Sequence, residues 1–157
     1  MAQSLIKGTK VYVASTPQPE ELTQVEFEAL TWIEVCCPSE SPNFGQEAEI
    51  VSEHCISGEE VTFVGAASGA ETEMTVFYDA ECEGQDIVRE AFEGQAMAFK
   101  KEYSDSPNPV TTTNTIIYTR ALVTTFPDAE GGVNDIAAHT FGLKIVQKPI
   151  LVKPEAV

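Results

Sequence analysis

Four cysteines, two histidines and several paired acids are the residues in this chain of 157 whose types could do chemistry. Cys36 and Cys37 are adjacent, while Cys55 and Cys82 stand apart. A zinc site would need closely spaced thiolates, and no C-x-x-C spacing occurs; His54 and His139 are the only other soft ligands. No local motif makes any cysteine a nucleophile beside a histidine. The four therefore read as small, partly buried apolar residues in a reducing compartment. An intersubunit disulfide formed later, outside the cell, is the alternative.

The acids offer a second chemistry. Glu47 and Glu49, or Glu71 and Glu73, are two residues apart on strand-like segments. On one strand face their Cβ atoms would lie roughly 6.5 to 7 Å apart, a spacing that glycosidases use. Acids repeated on one face are far more often a solvated face, so no catalytic pair is assigned. The sequence predicts no catalytic residue, no metal and no cofactor.

Charge is the stronger signal. The formal net charge is −16, and from Val11 to Val88 there is no Lys or Arg against seventeen Asp and Glu. Those carboxylates face water, one another, or the cations of the C-terminal half. Such a chain lacks the basic stripe of a nucleic-acid binder. The apolar fraction of 43% is that of a folding chain rather than an acidic disordered tail. No apolar run approaches the ~20 residues of a membrane helix, and MAQSLIKGTKVYVAS lacks a signal-peptide core. Folding in the cytoplasm is expected, as one domain over 1–157 with short flexible ends.

The elements read as strands and turns. KGTKVYVAS (7–15) and ALTWIEVCC (29–37) alternate with a period of two, and PSESPNFGQ (38–46) is an ordered loop. EAEIVSEHCIS (47–57) places Glu47, Glu49, Val51, Glu53 and Cys55 opposite Ala48, Ile50, Ser52, His54 and Ile56. It reads as a half-buried strand, with His54 a hydrogen-bonded core histidine. SGEEVTFVGAASGAE (57–71) suggests a mobile hairpin, and ETEMTVFYDA (71–80) alternates again. QAMAFKKEYS (95–104) is a strand, SPNP (106–109) a loop, and TTTNTIIYTRALVTTF (111–126) a long strand or a bent pair. PDAEGG turns into a last strand, AAHTFGLKIVQKPI (137–150), with His139, Phe141, Leu143 and Ile145 on one face.

One helix interrupts this pattern, at about 85–93 within DAECEGQDIVREAFEG. Glu81, Glu83 and Asp86 suit its positive end, and Gly94 reads as its C-cap. Ile87, Val88, Ala91 and Phe92 share a face that must dock, because nine residues are not helical alone.

Taken in order, GTKVYV, ALTWIEV, EAEIVSEHCIS, the strand–Asp-x-x-x-x-Gly-Gln–helix run ETEMTVFYDAECEGQDIVREAF and the finish EGGVNDIAAHTFGLKIVQ resemble the tail tube proteins of long-tailed bacteriophages. The likeness spans about 7–150 and is nearest to siphophage major tail proteins. The Cys-Cys pair and the lack of an appended Ig-like domain depart from that pattern.

The resemblance implies a mainly β fold, a β-sandwich or barrel with one flanking helix bracing the sheet. It implies a structural virion protein, not an enzyme, whose hexameric rings stack into a tube that conducts DNA during ejection. Its partners would be itself, terminator, tape measure and distal tail proteins, and DNA in passage without sequence-specific binding. No membrane is implied, and the protein would sit in the virion tail after assembly in the host cytoplasm. An acidic wall would leave DNA free to slide, which makes Glu47, Glu49, Glu53, Glu71 and Glu73 candidates for the lumen. The loops 38–46 and 57–71 are candidates for ring-to-ring contact. The alternatives are a tube protein of a contractile tail or type VI secretion apparatus, and a monomeric β-sandwich binding module.

Overall fold

A computed structural model describes residues 6–106, 108 and 110–156. The chain ends expected to be flexible, and half of the 106–109 loop, lie outside those residues.

Alternation builds a barrel. Strands β1 (Lys10–Ala14), β2 (Trp32–Val35), β5 (Glu71–Phe77), β6 (Met97–Glu102), β7 (Ile116–Val123) and β8 (Ala138–Ile145) form one antiparallel sheet in the order β2-β1-β6-β7-β8-β5. Every second side chain points inward. Val11, Val13, Val35, Met74, Val76, Met97, Phe99, Ala121, Val123, Phe141, Leu143 and Ile145 make one buried cluster. Each of the larger ones contributes about 1.5–3 kcal/mol of burial. The run 111–126 yields a single strand whose two halves pair differently. Ala121–Val123 pair with β8, and Ile116–Tyr118 pair with β9 (Ile150–Val152).

The two ends of the sheet meet. Beyond β2 the chain turns at Cys37, which holds the left-handed φ of 54°, and runs beside β5. There the Phe77 amide donates to the Cys37 carbonyl at 3.0 Å, and the Ser39 amide donates to the Thr75 carbonyl at 2.9 Å. Pro38 sits opposite Val76, where its missing N–H costs nothing at so short a seam. These contacts close the sheet on itself.

Helix α2 (Glu83–Glu90) lies on β2 and β1. It starts and ends slightly earlier than 85–93, and the left-handed residue after it is Glu93 (φ 61°) rather than Gly94. Val88 and Ala91 enter the barrel cluster, with Ile87 and Phe92 against it. The Gly-Gln pair explains how the helix docks. A side chain at Gly84 would overlap the Glu34 carbonyl of β2. Gln85 is fully buried. Its Nε2 donates to both the Cys36 and Phe77 carbonyls at 2.9 Å, and its Oε1 accepts from the Asp79 amide at 3.1 Å. One amide thus bridges the two strands of the seam.

The cysteine expectation is corrected here. Cys36 and Cys82 form an intrachain disulfide, with Cα atoms 6.1 Å apart. Cys37 and Cys55 are free but exposed, not partly buried. The pairing was hidden because 46 residues separate partners that only the docking of α2 onto the seam brings together.

A second cluster covers the outer face of the sheet. The short helix α1 (Gln24–Glu28), not expected from the sequence, begins with a capping box between Thr23 and Glu26. It sets Phe27 on Tyr118, ring centroids 5.3 Å apart, and Trp32 donates its indole N–H to the Phe27 carbonyl at 3.0 Å. The preceding loop is held by buried polar groups. Arg120 donates to Gln147 Oε1 at 2.7 Å and to the Gln18 carbonyl at 3.0 Å. Gln147 closes the circuit with both backbone groups of Leu22.

Two outcomes follow from the seam. Gln85→Ala leaves two carbonyls and an amide unpaired and should cost about 3 kcal/mol, read as a lowered urea midpoint. Replacing Cys36 and Cys82 together by Ala should cost about 2–4 kcal/mol, while Cys37→Ala stays within about 1 kcal/mol, measured by thermal unfolding with and without reductant.

Candidate functional site

The structure divides the five candidate acids between two surfaces. Glu71 and Glu73 stand on the outer face of β5, because Met74 and Val76 turn inward. They lie opposite Lys144 and Gly142 of β8. Together with Glu40, Thr124, Thr125 and Lys144 they line an open groove of about 860 Å³. Lys144 makes no ion pair with them; its Nζ donates to the Gly69 carbonyl at 2.7 Å. Carboxylates and hydroxyls dominate the groove walls beside Lys144, and Gly142 leaves room for the Thr124 and Thr125 hydroxyls.

Glu47, Glu49 and Glu53 lie elsewhere. Strands β3 (Gln46–His54) and β4 (Glu60–Gly69) pair only with each other, as a two-stranded arm. The expectation of a half-buried strand fails, since β3 is exposed on nearly its whole length. His54, expected in the core, is exposed opposite Glu60. The hairpin expected within 57–71 is not formed: its small residues continue the single strand β4, and the turn comes earlier, where the Cys55 amide donates to the Glu59 carbonyl at 2.7 Å.

Register assigns the arm's faces. Ile50 opposes Val64, and Ser52 opposes Thr62, their hydroxyls 3.2 Å apart. On the other face Val51 opposes Phe63 and Glu53 opposes Val61. Ile50, Val64 and Phe63 are 69%, 76% and 64% exposed, so neither face is covered. A bulge in β4, where Gly65 and Ala66 together face Glu49, leaves the alternation of β3 intact; the acidic face of β3 instead meets the apolar Val61 and Phe63 of β4. A two-stranded ribbon is marginal alone in water, and exposed apolar pairs with open strand edges mark a docking surface.

The arm's root is fixed to the barrel. The Ala70 amide donates to the Gly45 carbonyl at 3.1 Å, and the Ile145 amide donates to the Ala70 carbonyl at 3.0 Å. Gly69 has no room for a side chain against the Ile145 carbonyl. The ribbon is therefore aimed by the barrel, although none of the described residues covers it.

Electrostatics leave the subunit's charges largely unspent. Among the described residues the one ion pair is Arg89 with Asp86, at 2.6 Å. Lys101 is buried, donates to the Pro42 carbonyl at 2.7 Å, and has its pKa lowered by desolvation. His139, stacked on Tyr78, is held below its usual pKa by burial and then by Arg89, while Asp128 pulls the other way.

No family model matches the chain, and no curated protein does. Solved structures do match its fold. A sheath/tube terminator of the extracellular contractile injection system PVC aligns over 97% of this chain and 98% of its own, with TM-score 0.63 and 12% identity. The tube-terminating cap of the anti-feeding prophage covers 98% of this chain and 93% of its own, with TM-score 0.65 and 9% identity. The SPP1 tail tube protein covers 96% of this chain and 80% of its own, with TM-score 0.65 and 11% identity. The chain thus has the fold of tail-tube and tube-terminator proteins, which fits the sequence resemblance.

If the arm is a docking surface, Phe63→Ser combined with Ile50→Ser should leave the unfolding midpoint of isolated subunits within about 1 kcal/mol of the parent, because both are exposed. The same variant should lose self-association in analytical ultracentrifugation.

Proposed function

We propose that the chain is a structural subunit of a phage tail tube, stacked as hexameric rings around a channel that conducts DNA. The observation that carries this reading is the arm. A barrel with the tail-tube fold holds out a ribbon whose apolar pairs, Ile50–Val64 and Val51–Phe63, find no cover among the described residues. A second copy is the partner such a ribbon suits, since both strand edges remain open for pairing. The segment 57–71, a candidate for ring-to-ring contact, falls largely in the arm, which supports the arm as a contact between subunits.

Charge then divides the work. Copies at −16 repel, so assembly needs apolar contact and benefits from salt screening. A channel wall of the same sign suits DNA in transit, because a duplex carries one negative charge per ~1.7 Å and binds walls that release its counterions. Glu71 and Glu73, on the barrel's outer face beside Glu40, are the acids best placed to line such a wall. Glu47, Glu49 and Glu53 belong with the arm and its contacts rather than with the wall. The reading is of a non-enzymatic virion protein, assembled in the host cytoplasm beside terminator, tape measure and distal tail proteins.

A second reading is a tube or terminating protein of a contractile system. It is favoured by the PVC and anti-feeding prophage likenesses. Electron microscopy of concentrated protein separates the readings: open tubes of repeating rings support a tube subunit, single rings that do not stack support a terminator, and a strict monomer contradicts both. In assembled particles, Glu71→Lys with Glu73→Lys should leave tubes intact but slow DNA ejection at low salt, an effect that fades as salt rises. Ejection at the parental rate at low salt would remove these two from the wall.

A further inference from the structure

Arg89, in the last turn of α2, uses half of its guanidinium. Nη1 donates to Asp86 at 2.6 Å. The opposite edge, Nε and Nη2, is buried without an acceptor, and so is Nδ1 of His139 on β8. Tyr78 touches both residues, its ring 5.3 Å from the guanidinium carbon and 4.9 Å from the imidazole. Phe126 and Asp128 complete a pocket of about 640 Å³ around them. Asp128 borders the pocket yet makes no ion pair with Arg89.

Buried donors nearly always find partners, and a charged edge without one points to a group missing from the isolated subunit. The Nε–Nη2 edge of a guanidinium presents two parallel N–H bonds, the geometry that a carboxylate matches. Carboxylates are what a second copy brings in excess, with twenty-five acids against nine Lys and Arg. One of them has suitable surroundings. Glu53 projects from the arm face that carries Val51, Val61 and Phe63, with no cation between Val11 and Val88 to neutralise it. The pocket offers a free guanidinium edge between aromatic walls, on the side of Arg89 away from Asp86 and with Asp128 at its rim.

We infer that the arm of one subunit docks on the Tyr78–Arg89–His139 pocket of another, with the Glu53 carboxylate on the free edge of Arg89 and the Val51–Phe63 pair against Tyr78 and Phe126. Both nitrogens lie beneath the surface, so docking displaces a wall. Phe126, 60% exposed at the mouth, is the wall placed to swing aside. The inference rests on the self-assembly proposed above and names its contact.

The test uses the full chain. Glu53→Arg and Arg89→Glu should each lower the assembled fraction about tenfold at fixed protein concentration, and the double variant should recover to within about threefold of the parent. Glu53→Arg lies on an exposed strand, so its circular dichroism should match the parent's. A photocrosslinking phenylalanine analogue at position 53 should join Tyr78, Phe126 or His139 of another copy. If the parent assembles but the swap fails to rescue and the crosslinks map elsewhere, the docking inference is overturned while self-assembly stands. If the parent never assembles, both fall.

Discussion

The closure of the barrel depends on a seam only a few residues long. Between Cys37–Ser39 and Thr75–Phe77 two backbone hydrogen bonds replace what would be a full ladder. Such a short seam would fray by itself, since each bond contributes about 1 kcal/mol net. The chain reinforces it from the side with α2. Gln85 holds the Cys36 and Phe77 carbonyls from either strand, and the Cys36–Cys82 bond fixes the helix start to the same place. Gly84 permits that approach, because only a residue without a side chain lets the helix backbone lie on the Glu34 carbonyl. The lone helix is therefore the clasp of an otherwise all-β barrel, which is why a polar residue in its first turn can be fully buried.

The legible part of the sequence was the part governed by period. Val11 and Val13, Met74 and Val76, and Phe141, Leu143 and Ile145 alternate because one face of each strand meets the barrel interior. The docked face of α2 could be read the same way from Ile87, Val88, Ala91 and Phe92. What could not be read was anything set by distant pairing. Cys36 and Cys82 meet only after β2 and α2 dock. Arg120 and Gln147 pin residues more than a hundred positions away, near Gln18 and Leu22. Helix α1 had a local signal, the Thr23–Glu26 capping box, outweighed by the Pro-rich stretch before it.

The arm failed for a different reason. Period-two alternation in 47–55 is real, but alternation reports only that a strand exists and not that its apolar side is covered. In β3 the apolar residues Ile50 and Val51 are on opposite faces, as adjacent strand residues must be, and both are exposed. The same pattern in β5 is half buried because β8 and the barrel interior lie beside it. The candidate acids divided along the same line: Glu71 and Glu73 took the outer wall of the barrel, and Glu47, Glu49 and Glu53 went with the ribbon.

This contrast bears on how the molecule holds together as a building unit. Within the barrel the interior side chains pack into one cluster, and the seam carbonyls are capped by Gln85. What is left unsatisfied is a ribbon with two exposed apolar faces, a guanidinium edge just beneath the surface with no acceptor among the described residues, and a large excess of negative charge. Apolar area and unpaired donors favour association, while net charge opposes it at long range and is screened within about 8 Å at physiological ionic strength. A balance of that kind makes contact conditional on close fit. In the proposed assembly, copies meeting in the wrong orientation would bring acid against acid without the apolar cover, whereas a copy whose arm found its place would gain apolar burial together with a partner for its carboxylate. In that assembly the acidic composition would act as a filter on geometry as well as a property of the surface.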